Sequence, residues 1–181
     1  MSKQSIRVFC DMDGVVADFV KGVVDLTGVK LTTSKEDHDK YDTMKESLTA
    51  QRLFRNLQKT NIADDIIDTL KTLRSQEYIV GFEMLTAAGA VNREIVVEDK
   101  NLWCQENGLE GVPVNCVFSG KQKTAFIAPK GVEISVLIDD RLDNCEAWKE
   151  AGGIAICIDD DTSCKIGDYI KEICMGTYNI V

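Results

Sequence analysis

The chain has 181 residues, 44% of them hydrophobic and 28% charged, with two prolines and no low-complexity tract; this suits one folded domain, with room for a small inserted module, and excludes a disordered or fibrous protein. The formal charge of −9 argues against polymeric nucleic acid as a partner, because that affinity comes from Lys and Arg neutralising backbone phosphates; one small phosphate ester is not excluded. No apolar run approaches the roughly 20 residues that cross a bilayer, and the polar start MSKQS has no secretory apolar run, so the expectation is a cytoplasmic protein without membrane association.

In chain order, the first predicted strand is IRVFC (6–10), succeeded at once by Asp11, Asp13 and Gly14. The next strand, YIVGFEML (78–85), is too far away for a single crossover helix, so something extra is inserted between them. Residues 15–60 are polar and helical in flavour and are expected to form a small helical cap. Within the same interval begins a helix over 61–76, with Asn61 as N-cap, Asp64 and Asp65 in its first turn, and Ile62, Ile66, Ile67, Leu70 and Leu73 on one stripe. After the second strand comes a helix over 92–107, capped by Asn92, with Ile95, Leu102 and Trp103 inward and Gly108 at its stop. The strands VNCVF (114–118), ISVLI (134–138) and IAICI (154–158) complete the set, with a helix over 142–151 ended by Gly152 and Gly153. All five strands are continuously apolar and alternate with helices. The expected fold is therefore α/β, a Rossmann-like, doubly wound, mostly parallel five-stranded sheet, with a core formed by 1–14 and 61–181 and the cap by 15–60.

The seven cysteines form no C-x-x-C pair and read as small core side chains in a reducing compartment. His38, the sole histidine, excludes multi-histidine metal sites and leaves a Ser-His-Asp triad only if it is itself the base; it is expected to lie exposed in the cap. The acidic run DDDT (159–162) reads as a solvated turn rather than a second metal site.

In a parallel sheet, ligands bind outside the carboxyl ends of the strands. The residues just past each strand therefore make up the candidate site: Asp11 and Asp13 after the first, Thr86 after the second, Lys121 and Lys123 in SGKQKT after the third, Asp139 and Asp140 after the fourth. Neighbouring strands lie roughly 4.8 Å apart, and at such range two carboxylates repel by about 4 kcal/mol at an effective dielectric near 20. A cation is required, and hard oxygen ligands without histidine or thiolate suit Mg²⁺. The threonine hydroxyl and a lysine complete a cradle for an anion. GKQKT is not a P-loop, since it lacks the upstream glycine and the Ser or Thr directly after Gly-Lys.

Taken together, DMDGVVADF, the threonine of MLTA, the lysine of KQKT and LIDDRLDN resemble, in order, the four motifs of the haloacid dehalogenase (HAD) superfamily. The resemblance implies a phosphoric monoester hydrolase. Asp11 is similar to the nucleophile that becomes an aspartyl-phosphate, and Asp13 to the general acid and base. It implies that Thr86 and Lys123 bind phosphate, that Gly14 lets the turn pass close beneath it, and that Asp11, Asp139 and the Asp13 carbonyl hold Mg²⁺ with Asp140 behind them. Lys121 competes with Lys123 for the lysine role; the K-T pair of 123–124 matches relatives and favours Lys123. Arg141 and Asp143 are expected to pin their loop.

Within the superfamily the pattern is most similar to the 5'(3')-deoxyribonucleotidases, through DMDGVVADF, LFRNL, LIDDRLDN and the DKNLW helix, which makes Lys100 a second phosphate contact. The implied substrate is a nucleoside monophosphate, with Phe19, Tyr41 and Phe54 either stacking on its base or forming the cap's own core. The family's T-S-P is T-A-A here, removing one phosphate-binding hydroxyl. A phosphatase of a sugar or other small ester, and a non-catalytic HAD-like binding protein, remain as alternatives.

Overall fold

The computed structural model describes residues 5–30, 35–158 and 165–176, with the side chains of 35–38 excepted; the run at 159–162 and the side chain of His38 lie outside the described residues. Its strands are β1 (Ile6–Cys10), β2 (Gly81–Ala87), β3 (Val114–Val117), β4 (Ile134–Asp139) and β5 (Ile154–Cys157). They form one sheet in the order β3-β2-β1-β4-β5, every pairing parallel. The helices are α1 (Phe19–Thr27), α2 (Lys35–Ala50), α3 (Ala63–Ser75), α4 (Arg93–Glu106), α5 (Leu142–Glu150) and α6 (Ile166–Met175), with 3₁₀ turns at Leu53–Asn56 and Gly120–Phe126.

Both faces of the sheet are covered, which explains why its strands are continuously apolar. Ile6, Val8 and Cys10 of β1 join the larger core with Met84, Ile138 and the apolar faces of α3, α4 and α6. Phe9 points the other way, meeting Leu85, Leu137 and Trp148 of α5, with the Phe9 and Trp148 rings edge-on at 5.6 Å. Strand alternation thus divides one short segment between two cores.

Several expected boundaries shift for local reasons. β2 begins at Gly81 rather than 78, because Glu77 (φ 57°) and a Tyr78 N–H bond to Leu73 O (2.9 Å) still belong to the end of α3. α3 is not capped by Asn61, which is exposed; Thr60 sets its start by donating from N to Val16 O (3.0 Å) and from Oγ1 to Val15 O (2.7 Å). Asn92 precedes α4, yet its amide caps nothing and donates instead to Glu46 O and Thr49 Oγ1 of α2. Ile95 and Leu102 are only half-buried; the inward face of α4 is Val96, Asp99, Lys100, Trp103 and Cys104. Helix α6 was not among the expected elements, although Ile166, Ile170 and Ile173 carry its spacing.

Between β1 and α3 the chain forms α1, α2 and the Leu53–Asn56 turn. The turn and α2 pack against α4, and α1 packs on the turn: Trp103 Nε1 donates to Leu57 O (2.8 Å), and Arg55 pairs with Glu106 (3.0 Å). No helix among the described residues is long and apolar enough to cross a membrane.

Candidate active site

Register brings the aspartates together. Cys10 of β1 is level with Ile138 of β4 and Met84 of β2, so the next residues, Asp11 and Asp139, emerge side by side; the Asp11 N–H donates to Ile138 O at 2.8 Å. Beyond Asp11 the chain folds sharply, with the N–H groups of Val15, Val16 and Ala17 all directed to Met12 O and Gly14 in the left-handed region at φ 81°. A Cβ on Gly14 would sit 2.1 Å from Asp140 Oδ2. The turn therefore needs glycine twice over, for its backbone and for contact with the β4 loop.

Lys123, from the turn after β3, is buried between the two strand-end carboxylates, 2.9 Å from Asp11 Oδ2 and 2.6 Å from Asp139 Oδ2. Burial alone would lower its pKa, but the charges of Asp11 and Asp139 and the hydrogen bonds to them outweigh that and raise it. Lys121 is exposed. Geometry therefore puts Lys123, not Lys121, among the aspartates.

A second ion pair stands beside the first. Lys100 of α4, fully buried, donates to Asp13 Oδ2 (2.6 Å) and Thr86 Oγ1 (2.8 Å), and its Nζ lies 4.6 Å from the centre of the Phe54 ring. Thr86 is buried on this lysine rather than capping a helix. Asp13 Oδ1 is buried and has no hydrogen-bond partner among the described residues. Burial pushes the Asp13 carboxyl above its ordinary range, Lys100 pulls it back and the charge of Asp11 pushes it up again; the quarter of the side chain still exposed tempers the rise.

Asp11, Asp139 and Asp140 each offer a carboxylate oxygen within 4.8 Å of the others. Asp13 does not join them through its carboxylate, which belongs to Lys100. Burial, then the charge of Asp11, raises the Asp139 carboxyl, and Lys123 lowers it only in part. Asp140 is pushed up to about 7 by burial and by the charges of Asp11 and Asp139, even though the residue keeps exposed surface. Carboxylates crowded to this degree are short of positive charge, and an all-oxygen donor set fits a hard divalent ion.

Sequence reasoning did not assign a role to Asn144, whose Nδ2 donates to both oxygens of Asp139 (3.0 and 3.1 Å) while the Arg141 N–H donates to Oδ1 (3.0 Å). Asn144 in turn is why residue 120 is glycine, since a Cβ there would lie 2.1 Å from Asn144 Oδ1. Arg141 grips Asp143 through two hydrogen bonds (2.8 and 3.0 Å). Phe19, Tyr41 and Phe54 pack on one another, with ring centres at 5.2 and 6.0 Å, beside the Lys100 pair. Among the signals that point to Asn144 and Phe54, only their places in LDN and LFRNL are visible in the sequence.

No protein-family model matches the chain, and no curated protein matches it. Among solved structures it is similar to a hydrolase from Streptococcus pneumoniae TIGR4 at 12% identity and TM-score 0.49, covering 90% of this chain and 97% of that one. It is also similar to a HAD-superfamily hydrolase, subfamily IA, variant 1, from Geobacter sulfurreducens PCA at 13% identity and TM-score 0.52, covering 91% of this chain and 98% of that one. The five-stranded parallel sheet with flanking helices is thus an α/β, Rossmann-like fold, shared with the Geobacter sulfurreducens structure.

Proposed function

We propose that the protein is a Mg²⁺-dependent phosphomonoester hydrolase of the HAD type, with Asp11 as nucleophile and Asp13 as general acid and base. The observation that carries this reading is the shared lysine: Asp11 and Asp139, from separate strands, meet in one buried pocket on Lys123, with Asp13 and its own lysine alongside. Asp11, Asp139, Asp140 and the Asp13 backbone would hold the metal ion, which when bound neutralises charge on carboxylates and phosphate. In the first step an Asp11 oxygen bonds to phosphorus as the ester P–O bond breaks, and the Asp13 proton passes to the departing alkoxide. In the second, water attacks phosphorus, Asp13 takes its proton, and the bond from phosphorus to Asp11 breaks. The unpartnered Asp13 Oδ1 suits that traffic. Lys123, Lys100 and Thr86 offset or bind the phosphate oxygens.

Residues 15–60 act in this reading as a cap over the strand ends, and the substrate as a nucleoside monophosphate. Support comes from the motif likeness to the 5'(3')-deoxyribonucleotidases and from the Phe19, Tyr41 and Phe54 cluster next to the Lys100 pair. A sugar or other small phosphate is the second reading, favoured because these rings pack on one another and Phe54 is 5% exposed, leaving less ring face for a base. The test is phosphate release from p-nitrophenyl phosphate and from a panel of 5' and 3' (deoxy)nucleoside monophosphates and sugar phosphates. Turnover is expected with Mg²⁺, not with EDTA, and not in Asp11→Asn; activity persisting in that variant would refute the nucleophile.

A further inference from the structure

Arg52 joins α2 to the Leu53–Asn56 turn with φ 61° and ψ 39°, a left-handed conformation that costs a residue with a Cβ roughly 1–2 kcal/mol and persists only where its surroundings over-determine it. Glycine takes that conformation freely; what glycine lacks is the guanidinium. That group reaches α4, with a nitrogen 2.8 Å from Glu98 Oε2 and Nε 2.5 Å from Asp99 Oδ1, the second an ion pair rather than a well-angled hydrogen bond. The Asp99 side chain is wholly buried, so without Arg52 its charge would be stranded inside the protein.

Asp99 and Lys100 are neighbours on α4 and face different partners. Asp99 holds the start of the turn, and Lys100 holds Asp13 and Thr86. Two residues beyond Arg52, the same turn returns to Lys100 through the Phe54 ring, 4.6 Å from Nζ. An ammonium has three donors; two are bonded to Asp13 and Thr86, and the ring covers the group on a further side. Lys100 is 0% exposed while the Asp13 side chain keeps a quarter of its surface, and the Phe54 ring is one of the groups that close over the ammonium.

We propose that Arg52 is a positioning residue for Lys100: its ion pair with Asp99 locks the left-handed turn that seats Phe54 on the Lys100 ammonium, and so keeps that ammonium on Asp13. The inference rests on the proposed role of Asp13 as proton donor to the leaving group. Arg52 touches no reacting atom.

The experiment uses leaving groups that differ in their need for a proton. p-Nitrophenolate departs unaided, whereas an alkoxide needs the Asp13 proton, so kcat/KM, which covers only the steps up to formation of the aspartyl-phosphate, is measured with Mg²⁺ on p-nitrophenyl phosphate and on the alkyl phosphate that the panel finds fastest. Asp13→Asn sets the reference, with a large loss of kcat/KM on the alkyl ester and a small one on the aryl ester, while kcat falls on both because the water-activating step is shared. Arg52→Gly, which keeps the turn's backbone unstrained, is expected to lower kcat/KM on the alkyl ester by about tenfold and on the aryl ester by less than about twofold. Asp99→Asn and Phe54→Leu should show the same selective loss, Arg52→Lys should recover most of it, and the Arg52→Gly/Asp99→Asn double variant should be no worse than either single change. Equal losses on both esters, or none, in folded Arg52→Gly and Asp99→Asn while Asp13→Asn stays selective would overturn the positioning role alone. An Asp13→Asn variant without selectivity in kcat/KM would overturn the role of Asp13 as proton donor to the leaving group and the inference with it. Melting curves identify variants that fail to fold, and Arg52→Lys and Phe54→Leu keep the question decidable if Arg52→Gly does.

Discussion

The replacement of Lys123 by methionine, which keeps the length of the side chain and removes its charge, tests the electrostatic frame of the site most directly. In the folded protein the ammonium lies 2.6 Å from Asp139 Oδ2 and 2.9 Å from Asp11 Oδ2, and the two residues are 0% and 5% exposed. Removing one member of a buried ionic cluster leaves the others uncompensated and costs about 3–5 kcal/mol, which in a domain of this size means a melting temperature lower by about 6–20 °C. Circular dichroism melts in EDTA would measure it. Added Mg²⁺ should restore part of the loss, because a divalent ion supplies charge to the same carboxylates. Lys121→Met is the control; that residue is exposed and its loss should cost less than about 0.5 kcal/mol. A Lys123→Met protein melting within about 2 °C of wild type, or a Lys121→Met protein equally damaged, would show that the two aspartates do not depend on this lysine.

Gly14→Ala places a Cβ 2.1 Å from Asp140 Oδ2 at a φ of +81°; it should cost about 1–2 kcal/mol in the backbone alone and displace Asp140, seen as a smaller thermal shift with Mg²⁺. Asn144→Ala removes the amide that donates to both oxygens of Asp139 and should weaken Mg²⁺ binding about tenfold or more by calorimetric titration; unchanged affinity would contradict that role. Asp140 without metal holds a proton up to about pH 7 in the fold that the unfolded chain releases near about pH 4. Stability of the metal-free protein should therefore decline as pH rises through that window. Mg²⁺ must displace the proton, so its stabilising effect should be larger at about pH 8 than at about pH 5.5, and an equal effect at both would count against Asp140 as a ligand.

The parts of the site legible in the sequence are those fixed by strand ends. Asp11, Thr86 and Asp139 lie where parallel strands stop, and a parallel sheet gathers its carboxyl ends on one edge whatever the loops do. Lys123 is favoured over Lys121 in the sequence only by the likeness of its K-T pair to relatives, because its turn, Gly120–Phe126, carries no apolar period to show which lysine faces inward. Lys100 and Asp99 are harder still. On a helix, adjacent charged residues read as a solvated face, and only tertiary contacts turn them into the buried side of α4, where each meets an opposite charge. The same limit applies to Asn92, which sits where an N-cap belongs yet bonds to α2 because that helix supplies Thr49 and the Glu46 carbonyl within reach. Propensity describes a residue's local options, and packing chooses among them.

Charge pairing shows why the site calls for an ion beyond its own lysines. Lys100 is committed to Asp13, and Lys123 is shared by Asp11 and Asp139. Four carboxylates with two ammonium groups leave two negative charges, and among the described residues no lysine or arginine nitrogen lies within ion-pair distance of Asp140. The deficit appears where pairing runs out, as the rise of Asp140 to about 7. One divalent cation on Asp11, Asp139 and Asp140 would cancel it. A dianionic phosphate could then approach Asp11 without meeting a net negative pocket, which an extra lysine, adding a single charge, would not achieve.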